Sequence, residues 1–290
     1  MSPFQNGLLA AVIAGIGLIV YYFKFEKSQS VPPQRHNNVN HKIGVNCTND
    51  VKIGKGAFGD VYDVTVGGNR VAVKKILLKN ETVKEMAINE IEALCMCNHE
   101  NIVRFQSYEY SPKEKSVFIL MELCQGGTLE KWLATKNLKQ RNGAQVQFWK
   151  QIVSAVQHIH YKGLIHRDLK PGNIFLSKYG EVKVGDFGLA AVIEETGFRQ
   201  NMNCNMYGTH LYMAPEFSAC ARYDYKVDIY SLGLILFELF YHMENLNRVY
   251  MTLTNVRSNK FPNVFTQNFG KIVNNEFFDK MQYFKPFISF

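Results

Sequence analysis

The chain of 290 residues and 33.3 kDa is 47% hydrophobic and 20% charged, enough apolar material for one large core or two small ones, which excludes disorder throughout and a collagen-like fibre. Thirty-three Lys+Arg against 25 Asp+Glu give a formal charge of +8, which favours anionic partners such as nucleotides, nucleic acid or acidic lipid headgroups without naming one. The six cysteines, Cys47, Cys95, Cys97, Cys124, Cys204 and Cys220, exclude a disulfide scaffold at this length and complete no zinc set, so they read as reduced thiols.

The first element is an apolar run, Gly7 to Phe23, with no charge inside it and Lys24 and Lys27 just beyond. At roughly 17 residues it reaches the low end of a membrane span. A cleaved signal peptide competes, because Ala14 and Gly15 are small, and so does a plain buried helix. No Lys or Arg precedes the run, and Tyr21 with Tyr22 sits where an interfacial belt would, so the expectation is a membrane anchor over residues 1–27. The positive flank then places the rest of the chain in the cytosol. Residues 28–50, polar and Asn-rich with a Pro pair, read as a linker.

Chemistry begins at Val51. The stretch VKIGKGAFGDVYDV alternates as a strand, turns at Gly54, Gly56 and Gly59, and resumes at Val61, giving a hairpin whose bare turn lets backbone N–H groups approach phosphates. Alone, this glycine pattern is weak. A dinucleotide fold needs a helix straight after the third glycine, whereas another turn and strand follow here. That strand, Arg70 to Leu77, carries Lys74; a helix over Thr82 to Met96 then presents Met86, Ala87, Ile91, Leu94 and Cys95 on one face, with Glu90 beside it. A solvated edge lysine and a surface carboxylate are the bland reading of Lys74 and Glu90. The functional one pairs them, holding the amine against the alpha and beta phosphates of ATP.

The strongest signal is HRDLKPGN, His166 to Asn173, followed at short range by KVGDFGLA, Lys183 to Ala190. Phosphoryl transfer needs a carboxylate near the incoming hydroxyl, a lysine against the gamma phosphate and oxygen ligands for Mg2+; Asp168, Lys170, Asn173 and Asp186 supply these. Downstream, GTHLYMAPE (Gly208 to Glu216) closes the segment that would receive the substrate, and Asp228 opens a nearly all-apolar helix.

Val51 to about Lys285 thus resembles the protein kinases. The strings HENIVRF, MELCQGGTLEKWL, YKVDIYSLGLILFELF and TLTNVRSNKFPNVFTQ are similar to those of the family that phosphorylates the alpha subunit of eukaryotic translation initiation factor 2, most of all its endoplasmic-reticulum-resident member. The resemblance implies an α+β, bilobal fold over residues 51–290: an N-lobe, 51–125, of five strands with Glu90's helix, and a mainly helical C-lobe, 126–290. It implies ATP and Mg2+ as cofactors, the metal on Asn173 and Asp186. It also implies a hinge at Glu122 to Gln125 that includes Cys124, with Met121 behind the adenine and Val61, Ala72 and Phe175 lining its pocket. Arg167 resembles the arginine that reads an activation-loop phosphate. The implied partners are the initiation factor, docked on a helix over Leu246 to Val256, and a second kinase chain, its own copy or a relative, through the N-lobe. Direct nucleic-acid binding is not expected.

The sequence also departs from this pattern. Only Tyr108 to Lys115 stands where the family usually carries a long insert, and Cys204 occupies the place of the regulatory phosphothreonine, leaving Thr196, Tyr207 or Thr209 to serve. The expectations that follow are no lumenal sensor domain, a C-lobe lacking its last helices, and no buried arginine for Glu216. The expected function is a serine/threonine kinase repressing translation initiation under stress from the endoplasmic-reticulum membrane. The alternatives are a truncated regulator that pairs with a full-length relative, a kinase for another protein substrate, and a cytoplasmic location.

Overall fold

The computed structural model describes residues 51–55, 59–192, 199–200, 211–218, 222–258 and 260–267. The expected anchor and linker, Gly56, Cys47, Cys204, Cys220, the three candidate phosphosites and the C-lobe beyond residue 267 lie outside them. Among the described residues no helix is long and apolar enough to cross a membrane.

Five antiparallel strands form the N-lobe sheet in the order β1-β2-β3-β5-β4: β1 Val51–Lys55, β2 Asp60–Val66, β3 Asn69–Leu77, β4 Phe105–Ser111 and β5 Ser116–Glu122. Gly67 and Gly68 make the two-residue β2–β3 turn at φ 57° and 81°, a twist only glycine adopts cheaply. The alternation of β3 decides which side chains meet the cleft. Val71 and Val73 pack with Val64, Phe118 and Leu120 on one face of the sheet. Ala72, Lys74 and Ile76 therefore point to the other, beside Ile119 and Met121.

Against that second face lies α1, Glu81–Met96. It starts one residue before the expected Thr82 because Asn80 caps it, its side chain accepting the Val83 N–H at 2.9 Å. Ala87, Ala93 and Leu94 are buried as an amphipathic helix requires, and Glu90 is buried with them. Cys95, expected on the apolar face, is exposed.

The C-lobe contains α2 Leu129–Thr135, α3 Leu138–Arg141, α4 Ala144–Tyr161, α5 Pro215–Ser218, α6 Lys226–Phe240 and α7 Leu246–Arg257. Short strands β6 Leu164–Ile165, β7 Ile174–Leu176, β8 Val182–Val184 and β9 Ala191–Val192 carry the loops between α4 and α5; β10 Arg199–Gln200 pairs with β11 Arg222–Tyr223. α6 is buried almost throughout, as its apolar sequence demands, and forms the axis of this lobe. Its C-terminal carbonyls at Glu238 and Leu239 each accept an N–H of the buried Arg141 at 2.7 Å, so the end of the central helix is satisfied by a side chain from α3.

Candidate active site

Lys74 is 3% exposed and its Nζ lies 2.6 and 2.8 Å from the two Glu90 oxygens and 2.7 Å from Asp186 Oδ1. The β3 register holds it opposite Val61 and Ile119, which fixes the direction of its stem. Burial opposes the charge on Lys74, but two carboxylates in contact outweigh it and hold the ammonium above its ordinary range. Burial likewise pushes Glu90 up against the pull of Lys74. Burial would also raise Asp186, yet Lys74, His166 and Lys170 together bring it below the usual carboxylate range. The expected Lys74–Glu90 pair is therefore present, with Asp186 as a third member.

A second cluster surrounds Asp168. Lys170 Nζ donates to both of its carboxylate oxygens at 3.0 and 2.8 Å, and Asn173 Nδ2 donates to its main-chain oxygen and to Oδ2, both at 2.8 Å. Asn173 spends its amide nitrogen this way, so its side-chain oxygen remains an acceptor. The clusters are joined through His166, whose Nδ1 accepts the Asp168 N–H at 3.3 Å while Nε2 donates to Gly185 O at 3.1 Å. Gly185 admits no side chain: a Cβ there would stand 2.7 Å from Val103 Cγ2 and 3.2 Å from the Phe175 ring. That close packing sets Asp186, at φ +62°, against Lys74.

The loop bearing Asp168 is anchored from below. Asp228, fully buried on α6, accepts the N–H groups of His166 and Arg167 at 2.8 Å each and faces His160 Nε2 at 2.8 Å. Burial disfavours its charge, and His160 with the backbone donors overcomes this, keeping it ionised below the ordinary carboxylate range. Two main-chain bonds to one carboxylate hold Arg167 at φ +66°, a conformation that costs free energy and needs such a constraint. The Arg167 guanidinium donates to Leu189 O, to Ala190 O at 3.3 Å and to Tyr223 OH at 2.8 Å.

The expected nucleotide pocket is brought together in part. Ala72 pairs with Met121 across the sheet, both nearly buried, while Val61 and Phe175 are half-buried. Gly59 tolerates no side chain, since a Cβ would fall 2.3 Å from Lys75 O, whereas a Cβ at Gly54 would meet Val61 Cβ at 3.8 Å, an ordinary contact. The Glu122 carboxylate turns to structural work, accepting the Arg104 N–H at 2.7 Å and meeting Lys183 at 3.3 Å. Burial pushes the Cys124 thiol up to about 12, so it sits in the hinge as an inert group. Glu216 makes no ion pair among the described residues; burial raises its carboxyl and Asp224 adds to the effect. Sequence reasoning missed the roles of His160, Arg141 and Glu238, and read Asp228 only as the opening of a buried helix.

With this geometry in place, the Protein kinase domain family model matches residues 47–278. The chain belongs to the protein kinase family. It is 41% identical over 211 residues to the interferon-induced, double-stranded RNA-activated protein kinase of Rattus norvegicus, a match covering 66% of this chain and 40% of that relative. It is 41% identical over 164 residues to the rat eukaryotic translation initiation factor 2-alpha kinase 3, covering 53% of this chain and 15% of the relative. The serine/threonine-protein kinase shk1/pak1 of Schizosaccharomyces pombe is 37% identical over 193 residues, covering 66% and 28%. The chain thus spans well under two thirds of the length of these relatives.

Proposed function

We propose that this chain is an ATP-dependent serine/threonine protein kinase that phosphorylates the alpha subunit of translation initiation factor 2. The observation that carries the reading is the joined pair of clusters: Lys74 between Glu90 and Asp186, and Asp168 between Lys170 and Asn173. Their donor sets fit the two cofactors. Asp186 and the free oxygen of Asn173 are hard oxygen ligands that would hold Mg2+, and the hairpin from Gly54 through Gly56 to Gly59, with Val61, Ala72 and Met121, would receive ATP. When bound, Mg2+ supplies positive charge against the phosphate oxygens. Lys74, made rigid by its two carboxylates, presents an ammonium to the alpha and beta phosphates. Asp168 receives the proton of the acceptor hydroxyl at a carboxylate oxygen, and Lys170 beside it offsets charge on the transferred group.

Support for the initiation factor as substrate comes from the string TLTNVRSNKFPNVFTQ and the two rat relatives, whose names include a translation initiation factor 2-alpha kinase. The yeast shk1/pak1 relative favours a second reading, a kinase for another protein substrate. In the first reading residues 7–23 anchor the chain in the endoplasmic-reticulum membrane, residues 28–50 link it to the cytosolic kinase domain, and the N-lobe pairs with a second kinase chain. Incubation of the purified protein with gamma-labelled ATP, the initiation factor and a generic basic protein separates the readings. Preferential labelling of the factor on serine or threonine is expected; equal or reversed labelling sinks the substrate assignment.

A further inference from the structure

Residues Leu211 to Met213 lie in the string GTHLYMAPE that the kinase reading makes the seat of the acceptor, and their main chain is held from two helices. The middle carbonyl belongs to α6: Ser231 Oγ donates to Tyr212 O at 2.9 Å, and the Tyr212 hydroxyl reaches Glu238 Oε1 at 2.6 Å. The flanking carbonyls belong to α7. Arg257, its last residue, donates from one nitrogen to Leu211 O at 2.9 Å and to Met213 O at 2.6 Å, and its guanidinium lies 5.3 Å over the Tyr230 ring. α7 itself buries Leu253 and Val256 and leaves Leu246, Tyr250 and Met251 at 73%, 64% and 66% exposure, so Arg257 is its one polar grip on the segment between residues 211 and 213 among the hydrogen bonds of the described residues.

From this we infer that Arg257 is a positioning residue for the acceptor, a conclusion that rests on the kinase reading for its catalytic consequence and on geometry alone for its structural one. A guanidinium nitrogen whose two N–H bonds lie fixed in the plane of the group, each directed at one of two carbonyls flanking one residue, fixes the orientation of both peptide planes, which a freely rotating point charge does not do. The arrangement of the seat is therefore set by where α7 holds Arg257. The nucleotide clusters draw no contact from it: Lys74, Glu90, Asp168 and Asp186 are positioned by β3, α1, Lys170, Asn173 and His166.

The test compares wild type with Arg257→Gln and Arg257→Lys by two readouts. Steady-state kinetics should show the KM for an acceptor peptide rising roughly 10- to 100-fold in Arg257→Gln, the scale of a misplaced reacting group, with the KM for ATP unchanged. Arg257→Lys should keep the thermal midpoint of wild type yet recover only part of the acceptor KM, because its rotatable ammonium replaces the charge and not the fixed planar direction of the two N–H bonds. Amide hydrogen exchange, measured without substrate, should speed up over residues 211–214 in Arg257→Gln. Acceptor and ATP KM rising together, or full recovery by Lys, would reduce Arg257 to a structural support. Unchanged exchange would overturn the inference outright. A wild-type protein that transfers no phosphate refutes the kinase reading alone, and the exchange measurement then decides the positioning of the segment.

Discussion

Replacing Glu238 with Gln removes a titrating group from the base of the substrate segment while keeping an oxygen for the Tyr212 hydroxyl. Glu238 is 4% exposed, and its neighbours leave its charge poorly compensated. Burial pushes its carboxyl up from 4.5 to about 7; the Tyr212 hydroxyl and Arg141 pull it down, and Glu130 adds to the rise. A cavity of about 490 Å³, lined by Glu130, Arg141, Tyr212, Glu238 and the start of α7, gives protons access to it. Because the folded value exceeds the unfolded one, the contribution of the neutral acid is fully present below pH 4.5 and is lost as pH rises through 7. At 1.36 kcal/mol per unit, the difference between 4.5 and 7 amounts to about 3 kcal/mol, of which roughly 2 to 3 falls between pH 5 and 8. Urea unfolding of both proteins across that range measures it. His99 and His158, lowered by burial, contribute in the opposite direction but equally in both proteins, so they cancel in the difference. Glu238→Gln should gain on wild type by this amount from pH 5 to 8. Parallel pH profiles would show that Glu238 is not the titrating group and that Tyr212 rests on an ordinary carboxylate.

Lys74→Met leaves Glu90 and Asp186 facing each other without a cation, and unfolding should register a loss of about 3 to 5 kcal/mol, as when one member of a buried pair is removed; a loss under about 1 kcal/mol would mean the pair is solvated. Asn80→Ala should cost about 1 kcal/mol by uncapping α1, whereas Asn80→Asp retains the acceptor and should cost little by the same measurement. Neither Asn46 nor Asn80, both in glycosylation acceptor patterns, should carry glycan in cells; an endoglycosidase-sensitive mass shift would contradict the cytosolic placement proposed for the kinase domain.

Chemistry carried by contiguous strings was legible from the sequence. The glycine hairpin, Lys74, and the two loops bearing Asp168, Lys170, Asn173 and Asp186 each declare a residue type at a fixed offset; the expected Lys74–Glu90 pair is present, and the contacts of Asp186 with Lys74 and of Asp168 with Lys170 and Asn173 are added by the fold. Glu90 was placed on the flank of an apolar face; it is instead fully inside because Lys74 neutralises it there, while Cys95 is turned out. Contacts between distant elements were not legible. His160 meets Asp228 across 68 positions, Arg141 meets the Glu238 carbonyl across 97, and Arg257 reaches Leu211 across 46. No local periodicity encodes such pairs, since they depend on how α3, α4, α6 and α7 pack.

The most direct test of the catalytic assignment separates Asp168 from Asp186. Titration of each alanine variant with the magnesium nucleotide, alongside transfer of gamma-labelled phosphate to protein, reports binding and chemistry separately. If Asp168, held by Lys170, takes the proton of the acceptor and Asp186, in contact with Lys74, holds the metal as proposed, Asp168→Ala should abolish transfer with nucleotide binding nearly intact, and Asp186→Ala should weaken both. Equal loss of nucleotide affinity in the two variants, or transfer that survives Asp168→Ala, would contradict the account.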